Sequence, residues 1–124
     1  MRDPRFHDPL ILEYLDGRSW RIVSDFNYFT DIDALVKVEV KAGDTTDFAS
    51  IPRILWAILP PTGAYGKAAV VHDKLYRTPG LASRSDADKV FREAMEALGV
   101  GWWTRHLMYA GVRAGGWHSY KGLR

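Results

Sequence analysis

Two adjacent residues, His72 and Asp73, carry the clearest acid–base chemistry in the sequence. Tyr76 follows one helical turn after His72, and Asp88 lies in the next segment along the chain. If residues 67–77 form a helix, His72 and Tyr76 share one face, while Asp73 is rotated by about 100° and can meet a different partner. A histidine that is oriented by a carboxylate is the usual arrangement of a general base.

The carboxylate that could orient His72 lies on a second predicted helix, residues 85–98. The helix is indicated by apolar residues at helical spacing. These are Ala87, Val90, Phe91, Ala94, Met95 and Leu98. Asp88 borders this stripe, so antiparallel packing of the two helices would bring its carboxylate towards His72.

The beginning of that helix leaves a second role open for Asp88. Ser85 and Asp88 have the spacing of a capping box, in which the acidic side chain serves the helix N-terminus. Ser83 and Asp86 have the same spacing two residues earlier. Helix N-termini also favour acidic residues through the helix dipole. The sequence therefore leaves Asp88 open between capping and a site role, and favours capping for Asp86.

Composition limits the classes of protein to consider. The chain has 124 residues, 47% of them hydrophobic and 13% aromatic, which is enough for one globular domain with a real core. It contains no cysteine, which excludes disulfides, thiolate zinc sites and cysteine nucleophiles. The formal net charge of +2 gives little support to nucleic-acid binding. No apolar stretch is long enough to span a bilayer, so we expect a soluble protein made in the cytoplasm.

The remaining segments predict an α+β fold, a small N-terminal antiparallel sheet followed by three helices. Strands are predicted over residues 10–15, 19–23 and 34–40, with an Asp16-Gly17 hairpin turn between the first two. The expected single domain divides into β-rich residues 1–44, a loop over 45–66 and helical residues 67–124. Residues 51–59 are apolar apart from Arg53. We expect a buried core segment there, with an interfacial lipid-binding surface as the alternative.

The third helix is predicted over residues 102–112. Trp103, Leu107 and Ala110 fall on one side of it. The tryptophans Trp102, Trp103 and Trp117 are expected to be core or interface anchors. We expect structural roles for His106 and His118, and His7 has no recognisable context.

Nearly the whole chain resembles domain-of-unknown-function family 1353 of bacteria, tailed phages and prophages. The resemblance is carried by several motifs in a fixed order. These are Phe26-Asn27-Tyr28, Thr46-Asp47-Phe48-Ala49-Ser50-Ile51-Pro52-Arg53, Trp56, Leu59-Pro60-Pro61, His72-Asp73 with Leu75-Tyr76, Ala87-Asp88 with Phe91, and Met108-Tyr109. The resemblance implies a phage-linked origin and no established activity.

A local resemblance carries the chemistry. Ala68-Ala69-x-x-His72-Asp73-Lys74-x-Tyr76, followed by Ala87-Asp88-x-x-Phe91, is similar to the phospholipase A2 pattern of parvovirus capsid proteins. That resemblance implies that His72 activates a water molecule and that Asp88 orients the His72 ring. It also implies that Tyr76 supports His72 and Asp88 as a hydrogen-bond donor, and that Asp73 binds calcium. Residues 61–66 would stand in the place of the calcium loop. This loop has two glycines, fewer than the family pattern, and the helix-to-helix connection is shorter than in the viral enzymes.

Asp47 could add a third carboxylate to the site, or it could hold a loop turn through its own backbone. Carboxylates such as Asp47 and Asp73 beside a histidine suit a hard cation. Calcium is the expected ion, with magnesium and zinc as alternatives.

Two functions of different class follow from these residues. The first is a phage- or prophage-encoded hydrolase-like domain in which a His/Asp site activates water on a lipid or cell-envelope substrate with metal assistance. The second is a non-enzymatic virion, tail or assembly component whose partners are other phage structural proteins, or an inhibitor of a host protein. In that case His72, Asp73, Tyr76 and Asp88 form a structural polar network. Virion association is an expectation of either. A cleft with His72 and Asp73 at its floor and room for water and a metal ion would favour the hydrolase. A buried, closed and fully paired network would favour the structural role.

Overall fold

The computed structural model describes residues 6, 8–16, 19–32, 37–46, 54–55, 66–78 and 80–115. Five strands precede three helices, which confirms the predicted α+β fold. In chain order the elements are β1 (Leu12–Asp16), β2 (Ser19–Ile22), β3 (Phe26–Phe29), β4 (Lys37–Val40), β5 (Thr45–Thr46), α1 (Gly66–Arg77), α2 (Arg84–Ala97) and α3 (Trp102–Gly115).

The strands form two small antiparallel sheets instead of one. β1 and β2 pair as the predicted hairpin, and β5 pairs with the other edge of β2, with Trp20 opposite Thr46. β3 and β4 form a separate two-stranded sheet. The prediction that a loop begins at Thr45 was wrong for the first two residues. A two-residue strand is too short to show a period of two, so only its pairing with β2 reveals it.

The helices lie within one or two residues of their predicted bounds, except that α3 continues to Gly115. The hydroxyl of Ser83 accepts a hydrogen bond from the backbone N–H of Asp86 at 3.0 Å, so Ser83 caps α2. Gly99, with a φ of 85°, follows the end of α2, where a left-handed residue is favoured. Because the cap is Ser83, Asp88 lies inside the helix and is available to the site.

The core lies between the sheets and the helices. α1 packs against α2 and also contacts β4 and β5, while α2 packs against α3. Side chains that are entirely buried come from all of these layers. The largest of them are Tyr28, Tyr76, Phe26, Phe91, Ile22, Leu75, Met95, Met108 and His72.

α3 turns a different side to the core than its tryptophans suggest. Met108 and Val112 are its buried residues, whereas Trp102 is 53% and Trp103 is 82% exposed. Trp102 and Trp103 are therefore not core anchors, and a role as interface anchors stays a prediction. No helix within the described ranges is long and apolar enough to cross a bilayer.

One close approach fixes α3 against the segment before α1. Leu55 is buried, and a Cβ added at Gly111 would clash with its Cδ1 atom. A side chain at Gly111 would therefore displace Leu55. The neighbouring Ile54 is 79% exposed, so the prediction of a buried segment over 51–59 holds at Leu55 and fails at Ile54.

Candidate active site

The two helices bring His72 and Asp88 into direct contact. Nε2 of His72 on α1 lies 2.7 Å from Oδ1 of Asp88 on α2, across 16 residues of sequence. Both side chains are fully buried. The ring of His72 also packs against the ring of Phe91, with centroids 4.7 Å apart. The antiparallel hairpin expected from the sequence therefore does place the carboxylate beside the histidine.

Tyr76 completes the same face of α1. Its hydroxyl donates a hydrogen bond to Oδ1 of Asp88 at 2.6 Å, and its ring lies 4.2 Å from that of His72. One carboxylate oxygen of Asp88 thus meets a histidine and a tyrosine four residues apart. The pair is neighbouring on a helix surface, so their convergence on Asp88 follows from helix geometry once α2 is docked.

A third helix supplies a cation that the sequence did not single out. Nη1 of Arg113 on α3 lies 2.9 Å from Oδ2 of Asp88, so both oxygens of this carboxylate have donors. Arg84, the first residue of α2, donates to the carbonyl oxygens of Val112 and Arg113 near the C-terminus of α3. No local pattern marks either arginine, because their partners lie on another helix.

These contacts shift two pKa values. Burial acts to raise the pKa of Asp88, but hydrogen bonds from His72, Tyr76 and Arg113 outweigh it, and the pKa is lowered. Burial and the hydrogen bond and charge of Asp88 raise the pKa of the Tyr76 hydroxyl. Arg84 acts in the opposite direction and offsets part of this rise. Asp88 is therefore ionised and Tyr76 protonated at neutral pH. A carboxylate only accepts, so Nε2 of His72 carries the proton that it shares with Asp88.

Asp73 faces another part of the molecule, as its rotation on α1 predicts. Its Oδ2 accepts a hydrogen bond from the hydroxyl of Thr46 at 2.7 Å and lies 3.2 Å from Nε of Arg77. The residue is only 2% exposed. Asp73 thus ties α1 to β5, the short strand at the edge of the hairpin sheet.

A cavity of about 190 Å³ opens beside Asp73 and not beside His72. Its apolar part is formed by Ile22, Val40 and Val70, and the other lining residues are Asp44, Thr45, Thr46, Asp73, Lys74, Arg77 and Thr78. Lys74 pairs with Asp44 at 2.8 Å. Burial acts to raise the pKa of Asp44, but the bond from Lys74 and a backbone N–H outweigh it, and the pKa is lowered.

The described residues alone do not make a metal centre. Within them, no three histidine, cysteine or acidic side chains gather closely enough to hold an ion. Asp73 and Asp44 line the same cavity, but Asp73 is already paired with Thr46 and Arg77. Asp47, the other predicted ligand, lies outside the described residues, although it follows Thr46 directly in the chain.

The other residues named from the sequence fall into two groups. His106 lies on α3, with Nδ1 2.8 Å from the carbonyl oxygen of Trp102 and its ring stacked on that tryptophan at 4.1 Å. It has no contact with the His72 network in the described structure. The predicted calcium loop was residues 61–66, of which Gly66 is the first residue of α1. His7, Trp117, His118 and residues 61–65 lie outside the described residues.

Comparison with known proteins gives a family without an assigned activity. The sequence profile described as "Protein of unknown function (DUF1353)" matches residues 20–112, a span that includes all three helices up to Val112. The "Uncharacterized protein y4jT" of Sinorhizobium fredii (strain NBRC 101917 / NGR234) is 38% identical over 95 residues. The match covers 75% of this chain and 27% of that relative, so the chain spans about a quarter of its length. No solved structure matches.

Proposed function

We propose a hydrolytic function for this chain, which belongs to the DUF1353 family of proteins of unknown function. The observation that carries the proposal is the contact between Nε2 of His72 and Oδ1 of Asp88 at 2.7 Å. It is the contact that a general base needs from its orienting carboxylate. Tyr76 and Arg113 hold that carboxylate from two further directions.

The chemistry follows from the proton on Nε2. With the ring proton on Nε2, Nδ1 is the nitrogen of His72 that can accept a proton. Because His72 is buried, the site must first open, and Nδ1 would then take a proton from a water molecule that attacks an ester carbonyl carbon. Asp88 stabilises the positive ring that results. Collapse of the tetrahedral intermediate breaks the bond to the leaving alcohol, and the ring returns its proton to that oxygen. A general base of this kind contributes about 10²–10⁴-fold to the rate.

The substrate class is a lipid ester or another bond of the cell envelope, which rests on the resemblance to the viral phospholipases. Calcium is also part of the proposal, with Asp73 and Asp47 as its ligands. Asp47 is needed because the described residues alone supply too few ligands. An ion at Asp73 would compete with the guanidinium of Arg77, which lies 3.2 Å away. Calorimetric titration of calcium, magnesium and zinc into wild type and Asp73→Asn tests this part, and binding that persists in the variant would contradict it.

The decisive experiment compares turnover by wild type, His72→Gln and Glu93→Gln on phospholipid vesicles, peptidoglycan and simple esters. Glu93 also lies on α2 and accepts hydrogen bonds from Tyr28 and Thr30, so it controls for damage to another polar network. The proposal expects activity in wild type and Glu93→Gln, and a loss of at least about 100-fold in His72→Gln. Equal turnover by wild type and His72→Gln would contradict it.

A second candidate function is favoured by the burial of His72 and Asp88, both fully inaccessible. A closed and paired network at these two residues is the feature that the structural role requires, whereas of the predicted site residues that the structure describes Asp73 is the one that lines the cavity. In this alternative the network fixes the packing of three helices in a non-enzymatic component of a phage virion, tail or assembly. Fully paired buried polar groups can do this without catalysis. It predicts that diethyl pyrocarbonate modifies the partly exposed His106 and spares His72. A hydrolase must open to its substrate, so it predicts that His72 also reacts.

A further inference from the structure

The face of α3 that points away from the core is apolar and exposed. We call it the α3 stripe, defined as Trp103, Leu107, Ala110 and Ala114. All four residues are exposed, Trp103 to 82% and Leu107 to 51%. Large apolar side chains grouped on a surface mark an interaction site more often than isolated ones do. The stripe carries no charge, so a partner can cover it without removing an ion from water.

The spacing of the α3 stripe indicates a helix as its partner. Intervals of four, three and four residues are the alternation of a and d positions in a heptad. At 3.6 residues per turn the four residues fall within about 60° of one another around the axis. This narrow seam fits one neighbouring helix in the geometry of a coiled coil, and α3 itself has the matching length.

The distribution of side-chain size identifies which helix fits. The large residues, Trp103 and Leu107, are at the N-terminal half of the stripe, and the small ones, Ala110 and Ala114, are at the C-terminal half. We propose that a second copy of this chain covers the α3 stripe, with the two α3 helices packed antiparallel about a two-fold axis. An axis midway between residues 107 and 110 sets Trp103 opposite Ala114 and Leu107 opposite Ala110 of the other copy.

Both contacts in that arrangement join a large residue to a small one, so the seam fills without a void. A parallel pair would instead set Trp103 against Trp103 and leave Ala114 facing Ala114. The antiparallel pair also opposes the two helix dipoles, and a two-fold interface uses the same patch on both copies. The symmetric spacing gives both pairings one axis, and the placement of both large residues in the N-terminal half makes each pairing large to small.

The expected affinity is modest. A tryptophan that becomes buried covers about 150–250 Å². With the two copies of Trp103 and Leu107 and part of the flanking Trp102, which is 53% exposed, the interface reaches on the order of 1,000 Å². This is at the lower end for a specific interface. We expect a dissociation constant of about 10–100 µM.

The dimer is tested by sedimentation of the wild-type chain over about 5–500 µM, a range that brackets the expected dissociation constant. Its register is tested by variants that exchange large and small side chains. Ala114→Trp sets Trp against Trp and should weaken association at least about tenfold. Trp103→Ala combined with Ala114→Trp restores a large residue opposite a small one, and should recover association to within about threefold of wild type. Ile11→Asp, at an exposed apolar residue outside α3, should leave it unchanged. These positions are exposed, so thermal melts should show each variant folded.

Three results would overturn the proposal. One is a wild-type chain that is monomeric at every concentration, and another is Ala114→Trp that associates as well as wild type. The third is a double variant that stays as weak as Ala114→Trp while remaining folded. For a monomeric wild type, pelleting with vesicles of phosphatidylcholine and phosphatidylglycerol, lost in Trp103→Asp, would assign the stripe to a lipid surface.

Discussion

Arg113 and Asp88 are joined across 25 residues of sequence, with Nη1 of the arginine 2.9 Å from Oδ2 of the aspartate. The arginine side chain is 37% exposed, whereas the carboxylate is fully buried. The contact brings α3 into a network that otherwise belongs to α1 and α2. A buried carboxylate is costly unless it is paired and hydrogen-bonded, and Arg113 occupies the oxygen that His72 and Tyr76 leave.

Removal of this arginine should therefore destabilise the protein. Arg113→Met leaves Oδ2 of Asp88 without its charged donor, and we expect a loss of about 1–3 kcal/mol in the free energy of unfolding by urea. Arg21→Met is the control, because Arg21 pairs with Glu13 at the surface with both side chains about half exposed. Such pairs contribute about 0–1 kcal/mol. Equal losses in the two variants would contradict a special role for Arg113.

Acid should weaken the same network. The pKa of Asp88 is lowered in the folded chain, so the ionised carboxylate adds stability above its unfolded pKa of about 3.9. That stability is lost as the pH falls through the folded value. We expect the stability difference between wild type and Asp88→Asn to be largest near pH 7 and to shrink below about pH 4. A difference that stays constant from neutral to acid pH in urea titrations would rule out this linkage.

Alkali should act through Tyr76. Its pKa is raised in the folded chain, so the protonated hydroxyl adds stability that is fully present below the unfolded pKa of about 10 and declines above it. Tyr76→Phe removes the bond to Asp88 and should cost about 1–2 kcal/mol at pH 7. The gap between wild type and Tyr76→Phe should narrow as the pH rises beyond about 10. Parallel curves would place the raised pKa in doubt.

The contact between Gly111 and Leu55 makes a prediction about packing. Gly111→Ala gains about 1 kcal/mol of helix propensity, but its Cβ would clash with Cδ1 of Leu55. Crowding of a packed core costs about 1–3 kcal/mol, so the variant should be no more stable than wild type. In a Leu55→Ala background the space is free, and Gly111→Ala should stabilise by about 0.5–1 kcal/mol. Thermal melts of wild type, Gly111→Ala, Leu55→Ala and the double variant measure the coupling between the two substitutions. Additive effects on stability would show that Leu55 moves aside at no energetic cost.

Much of the fold could be read from local patterns. The apolar stripe that predicted α2, with Ser83 as a capping residue, defines that helix to within one residue because helix propensity and capping act over a single turn. The hairpin of β1 and β2 followed from the Asp16-Gly17 turn signal between two predicted strands. β5 was not predicted because a two-residue strand is too short to show an alternating pattern. Its position depends on its hydrogen bonds to β2.

For the candidate site too, some relations followed from local sequence and others depended on tertiary packing. The sequence by itself determined that His72 and Tyr76 share a face of α1, that Asp73 turns away from them, and that an Asp on the next helix can meet them, because these relations follow from helical geometry. Only the tertiary structure decided that Asp88 bonds both residues, that Arg113 completes the network, and that His72 is closed off while Asp73 borders a cavity. The tertiary structure also determined that Trp103 is exposed. These facts depend on how three helices pack, and packing joins residues that no local pattern connects.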